Sequence, residues 1–153
     1  MPDIPGTTST NPHSYRDAAS LGYEALDGFS KLGVRQFELN LRMIVALALE
    51  TGAQPILLTQ PRLVHRDNSA EERERIGYEH QRLTHDALCS AYEATDQIVA
   101  KIGRASGVGY FDFASAVRGD PRFFVDHVHL SIEGNTELSA ILSDYIASEL
   151  LKR

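Results

Sequence analysis

Residues 54–60 read QPILLTQ, a short apolar run that stops at a proline, and this stretch decides the predicted fold. Its centre, ILL, is continuously apolar, which is typical of a buried strand in a parallel sheet rather than a half-exposed antiparallel one. A second run, VGYFDF at 108–113, follows a glycine that ends a helical pattern. The two runs predict neighbouring strands of one parallel sheet.

Helical patterns precede, separate and follow the two predicted strands. Apolar residues recur at helical spacing over 34–50, 70–105 and 132–151. The middle pattern is either continuous or broken near Gly77, and Ser131 is placed to cap the last helix. Strands that alternate with long helices pair in parallel through right-handed crossovers. The order therefore predicts a layered α/β fold that binds ligands beyond the carboxyl ends of its strands.

The composition indicates one ordinary folded domain. The 153 residues are 42% apolar and 24% charged, with a net charge of −6. This negative charge disfavours nucleic acid and anionic membranes as partners, and no apolar run approaches the ~20 residues of a membrane helix. We expect a polar lead-in at 1–30 and the domain at 31–153. The lead-in lacks the features of a secretory signal, so the location stays open, with the cytoplasm as the default.

An aspartate and two histidines, DHVH at 126–129, stand just before the last predicted helix. Three interpretations are open. His127 could be a packed structural residue with Asp126 as a turn or cap residue. Asp126, His127 and His129 could begin a metal site, although no second ligand motif accompanies them. An Asp-x-x-His spacing also lets the carboxylate reach an imidazole within one turn of chain, as a catalytic acid–histidine pair requires.

Residues 126–135, DHVHLSIEGN, resemble the last block of the SGNH hydrolases, also called GDSL esterases/lipases. That block reads D-x-x-H-L-[ST]-x-x-G and is followed by an apolar helix. The order of elements over 34–151 is similar too. The resemblance implies a three-layer, flavodoxin-like parallel-sheet fold and ester hydrolysis without a cofactor or metal. It makes His129 the general base, Asp126 its orienting partner and His127 an incidental loop residue.

The same resemblance identifies blocks that this sequence does not contain. The family's serine lies in a Gly-Asp-Ser block, whereas the Gly119-Asp120 pair here is followed by proline. The resemblance implies that the sequence begins after the third family block and lacks the amino-terminal strands. We then expect an open sheet edge and uncovered apolar helix faces. An amino-terminal partner segment, a second copy or a third strand from the lead-in would complete the sheet.

The leading functional hypothesis is a serine ester hydrolase of which this chain carries the Asp126–His129 half of the triad. Alone it would be inactive. A non-catalytic binding or assembly module is the alternative, and a small metal-binding protein is a weaker one. Gln60 and Arg62 follow the first strand and are predicted to contact a small-molecule ester. Arg62 would hold an acidic group by a bidentate contact, unless it is simply solvated.

Overall fold

The computed structural model describes residues 24–150. Its elements in chain order are α1 (Lys31–Glu50), β1 (Ile56–Leu58), α2 (Ala70–Arg73), α3 (Tyr78–Gln81), α4 (His85–Ser106), β2 (Gly109–Phe111), α5 (Phe113–Val117), a 3-10 turn (Pro121–Phe123), α6 (Ile132–Tyr145) and a π turn (Ile146–Leu150). Within this part of the chain, no helix is long and apolar enough to cross a membrane.

The two strands form a parallel pair, as the sequence predicted. Leu57 lies opposite Tyr110, and the flanking positions follow the same register. Both strands have three residues and are shorter than the apolar runs from which they were predicted. Within 24–150 the sheet contains only β1 and β2. The protein is therefore a mixed α/β structure.

Helices cover both faces of this sheet. On one face, α1 and α4 pack over β1 in a buried cluster of Val45, Leu57, Ile98, Val99 and Ile102. On the other face, α6 and the turns after each strand build a second cluster of Leu63, Phe113, Val117, Phe124 and Leu138. Leu57 belongs to the first cluster, whereas its neighbour Leu58 packs against the second, as the alternation of side chains along a strand requires. The layers are helix, sheet and helix.

The helical pattern at 70–105 is three helices rather than one. The predicted break near Gly77 is confirmed, since α2 ends at Arg73 and α3 begins at Tyr78. A second break at Arg82, where φ is 51°, was not predicted. Here the backbone leaves the helix to pair with Leu26, which donates to the Arg82 carbonyl at 2.9 Å. A tertiary contact thus overrides the local helical pattern.

The outer face of α1 is apolar and exposed. Val45 is the buried residue of this helix, while large apolar side chains stand in solvent along its length: Leu32, Phe37, Leu39, Met43, Ile44, Leu47 and Leu49. This is the uncovered helix face that the sequence led us to expect. Residues 1–23, from which a third strand was one expectation, lie outside the described part of the chain.

Candidate functional site

A small hairpin carries the DHVH residues to the carboxyl edge of the sheet. Phe124 and Leu130 form an antiparallel bridge, and the Val125 amide donates to the His129 carbonyl at 2.8 Å. Residues 126–129 form the tip. Because Phe124 and Leu130 pack in the core beneath α6, the tip is held on a rigid base.

The first turn of α6 is pressed against this hairpin. Ser131 caps the helix as predicted, its hydroxyl accepting from the Gly134 amide at 3.0 Å. The Ser131 amide in turn donates to the Phe123 carbonyl at 2.9 Å. A Cβ atom at Gly134 would lie 2.1 Å from that same carbonyl oxygen. The position therefore requires glycine, which gives a physical reason for the glycine in the DHVHLSIEG stretch.

Asp126 and His129 form the predicted pair. The Asp126 Oδ2 atom lies 2.6 Å from Nδ1 of His129. Its other oxygen accepts from the Val128 and His129 amides at 2.9 and 2.8 Å. The carboxylate is thus fixed by backbone donors, and it assigns the Nδ1–H tautomer to the imidazole. The His129 side chain is 77% exposed against 14% for Asp126, so a reacting group can approach the imidazole.

His127 is buried, unlike His129, and it is bonded to another part of the domain. It is 6% exposed, its Nδ1 accepts from the Gly77 amide at 3.3 Å, and its carbonyl accepts from the Leu63 amide at 2.9 Å. Its description as an incidental loop residue is wrong, because these contacts tie the hairpin tip to the rest of the domain. Within 24–150, no three His, Cys, Asp or Glu side chains lie close enough to hold a metal ion.

A cavity of about 590 Å³ opens beside His129. Side chains from α1, from the end of β1, from α4 and from the hairpin tip line it, among them Phe37, Gln60, Tyr92, Thr95 and His129. Its size suits a small organic ligand. Gln60 lies in this lining, where the sequence had put a substrate contact. Its role toward an ester stays a prediction.

Arg62 does not line this cavity, although it lines a second one, of about 430 Å³, to which Asp96 also contributes. Its guanidinium group bonds both carboxylate oxygens of Asp96, at 3.2 and 2.5 Å, and stacks 4.7 Å from the centre of the Tyr92 ring. The side chain is 10% exposed, so the solvated alternative is wrong. The bidentate geometry predicted for an acidic substrate is made with the chain's own Asp96. Since Asp96 and Tyr92 both line the cavity, Arg62 supports its wall.

This placement predicts that Arg62→Ala acts on stability. The variant leaves the partly buried Asp96 carboxylate without its partner, and we expect the free energy of unfolding to fall by about 2–3 kcal/mol in urea denaturation. Arg66→Ala is the control, because the Arg66–Glu93 pair is about half exposed, and its loss should change stability much less than the loss of the Arg62–Asp96 pair. Unchanged stability in Arg62→Ala would contradict the structural role.

A hydrogen-bonded cluster that was not predicted from the sequence lies where the two strands end. The Thr59 hydroxyl is buried; it donates to Asp112 at 2.8 Å and accepts from the Ala114 amide at 2.9 Å. Ser115 donates to the same carboxylate. Burial raises the pKa of Asp112, but these hydrogen bonds outweigh it and bring the pKa below its usual value. The cluster ties β1 to α5 and stiffens the sheet edge near the site.

Comparison with protein-family models, with curated proteins and with solved structures found no match to this chain. The fold and the site together define an α/β protein whose described residues, 24–150, form a parallel sheet of two strands. At the carboxyl edge of that sheet it presents an acid–histidine pair beside an open cavity.

Proposed function

We propose that this chain carries the general-base half of an SGNH-type serine ester hydrolase. The observation that supports the proposal is the 2.6 Å contact between Asp126 and Nδ1 of an exposed His129. With Nδ1 held by the carboxylate, Nε2 is the nitrogen that takes a proton from a nucleophile. Asp126 then stabilises the imidazolium ion that forms.

In the proposed reaction a serine hydroxyl attacks the ester carbonyl and passes its proton to Nε2 of His129. The tetrahedral intermediate collapses to an acyl-serine, and the same proton goes to the departing alcohol. Water repeats the sequence and releases the acid, which restores both serine and imidazole. No cofactor or metal takes part in these steps.

The serine belongs to a separate segment in this proposal, because the sequence contains no Gly-Asp-Ser block. Two features support docking of an α/β segment here. Within 24–150 the parallel sheet has only two strands, and the outer face of α1 exposes a row of large apolar side chains. Exposed apolar surface of that extent is typical of an interaction site. Phe37 of α1 lines the cavity beside His129, so a segment bound there lies next to the base.

Reconstitution tests this function. We expect the isolated chain to hydrolyse nitrophenyl acetate no faster than free imidazole does. Coexpression with the amino-terminal part of a complete SGNH hydrolase, which carries the Gly-Asp-Ser block, should raise turnover at least about 10³-fold. A fluorophosphonate probe should label the added segment and not this chain. The same segment with its serine replaced by alanine is the control.

Two results would contradict the proposal. One is enzyme-like turnover by the isolated chain with labelling of one of its own serines. The other is a stable complex with the added segment that does not hydrolyse esters. This second outcome would favour the other candidate that the exposed face of α1 supports, a non-catalytic assembly module built on the same fold.

A further inference from the structure

The segment that leads from α2 into α3 is a rigid arm behind the hairpin. Ser69 and Glu72 form a reciprocal capping box at the start of α2, with bonds of 3.2 and 2.8 Å. The Arg75 amide donates to the Glu72 carbonyl at 3.1 Å. The next residue, Ile76, is 2% exposed and packs in a buried cluster with Leu88 and its neighbours. The backbone at 75–77 is therefore anchored on both sides.

Two residues of this arm reach the hairpin. The Arg75 guanidinium donates through Nη1 to the Pro121 carbonyl at 3.1 Å and through Nη2 to the Phe124 carbonyl. Gly77 donates its amide to His127 at the tip. The two carbonyls belong to residues at either end of the short turn that enters the hairpin. One side chain thus fixes the path of the backbone just ahead of Asp126.

We infer that Arg75 is a positioning residue for the Asp126–His129 pair. Phe124, which it binds, stands two residues before Asp126, and the 2.6 Å contact depends on where the first half of the hairpin lies. Without the guanidinium group, the Pro121 and Phe124 carbonyls lose the donor that they share, and the backbone that leads into Asp126 loses one of its restraints. Arg75 does not touch the reacting atoms. Its consequence for catalysis rests on the proposed function, whereas its effect on the pair does not.

The tautomer of His129 reports this positioning directly. The bond to Asp126 holds the proton on Nδ1, whereas a free imidazole prefers the proton on Nε2. In the isolated 153-residue protein, with histidine labelled with ¹⁵N, long-range ¹H–¹⁵N spectra above neutral pH distinguish the two forms. We expect the Nδ1–H form in the wild-type protein. Arg75→Met should lower its ratio to the Nε2–H form about five- to tenfold, which corresponds to the net contribution of one ordinary hydrogen bond.

Arg73→Met is the matched control. Arg73 lies on the same arm and also donates to a backbone carbonyl, that of Asn68 at 3.1 Å, but that carbonyl is not in the hairpin. Arg73→Met should therefore leave the His129 tautomer unchanged. Arg75→Lys keeps the charge but reaches fewer acceptors, so it should give an intermediate ratio of the Nδ1–H to the Nε2–H form. If Arg75→Met does not fold, Arg75→Lys takes its place in the test.

Three outcomes overturn the inference: an unchanged tautomer in a folded Arg75→Met protein, an equal change in Arg73→Met, or a wild-type ratio in Arg75→Lys. Each outcome is a His129 tautomer ratio measured on the isolated protein, without an ester or a second segment. A failure here is therefore distinct from a failure of the reconstituted hydrolase.

Discussion

Replacing His129 by alanine in the reconstituted hydrolase removes nearly all ester turnover, a loss on the order of 10⁴-fold or more in kcat. The imidazole is the base that accepts the serine proton, and an alanine side chain cannot accept it. Because the side chain is 77% exposed and stands at the tip of a hairpin, its removal should leave the fold intact. Nitrophenyl acetate turnover and urea denaturation of the same preparation separate the two effects.

Asp126→Asn should lower kcat as well, but by less than His129→Ala does. The amide oxygen can still accept from the Val128 and His129 amides, as Oδ1 does now. The amide NH₂ would then face Nδ1 and favour the wrong tautomer. We expect a large loss of kcat that is still smaller than that of His129→Ala. Equal activity of wild type and His129→Ala would exclude His129 as the base.

His127→Ala distinguishes the two histidines of the DHVH stretch. Its imidazole is 6% exposed and accepts from the Gly77 amide, so truncation opens a cavity and leaves a buried donor without its acceptor. We expect the free energy of unfolding to fall by about 2 kcal/mol. The kcat of the folded fraction should change little, because Nε2 of His129 is untouched.

The parts of the fold and site that the sequence predicted are those in which the signal is local. The apolar run around Leu57 identifies a buried strand from its own residues, and the glycine after α4 marks where the next strand begins. The Asp126–His129 contact spans three positions, so its spacing alone makes it possible. The Ser131 cap is likewise a contact within one helical turn.

The parts that the sequence did not predict depend on partners far along the chain. The Gly77–His127 bond joins residues 50 positions apart, and the Arg62–Asp96 pair joins residues 34 apart. Their side chains carry no pattern that specifies one partner among many. The break at Arg82 has the same origin, since Leu26 draws the backbone out of the helix. Such contacts become visible only once the packing is known.

Gly134→Ala should destabilise the protein by about 3 kcal/mol or more, the largest stability effect we expect from one added methyl group. The new Cβ would lie 2.1 Å from the Phe123 carbonyl oxygen. That oxygen cannot retreat without losing the bond from the Ser131 amide, and the Phe123 amide is itself bonded to the Asp120 carbonyl at 3.0 Å. Either the hairpin or the first turn of α6 must move. The free energy of unfolding in urea measures the cost.

Gly33→Ala is the matched control, because Gly33 and Gly134 hold equivalent positions in two helices. Each follows a capping serine by three residues and donates its amide to that serine's hydroxyl. A Cβ at Gly33 meets its nearest atom, the Ser30 Cβ, at 3.6 Å, an ordinary contact. Helix propensity alone then favours alanine, and Gly33→Ala should raise stability by about 0.5–1 kcal/mol. If Gly33→Ala raises the free energy of unfolding and Gly134→Ala lowers it, the difference measures the cost of the contact with Phe123. A gain in stability at both positions would mean that the first turn of α6 does not pack against the hairpin as closely as the Gly134–Phe123 contact indicates.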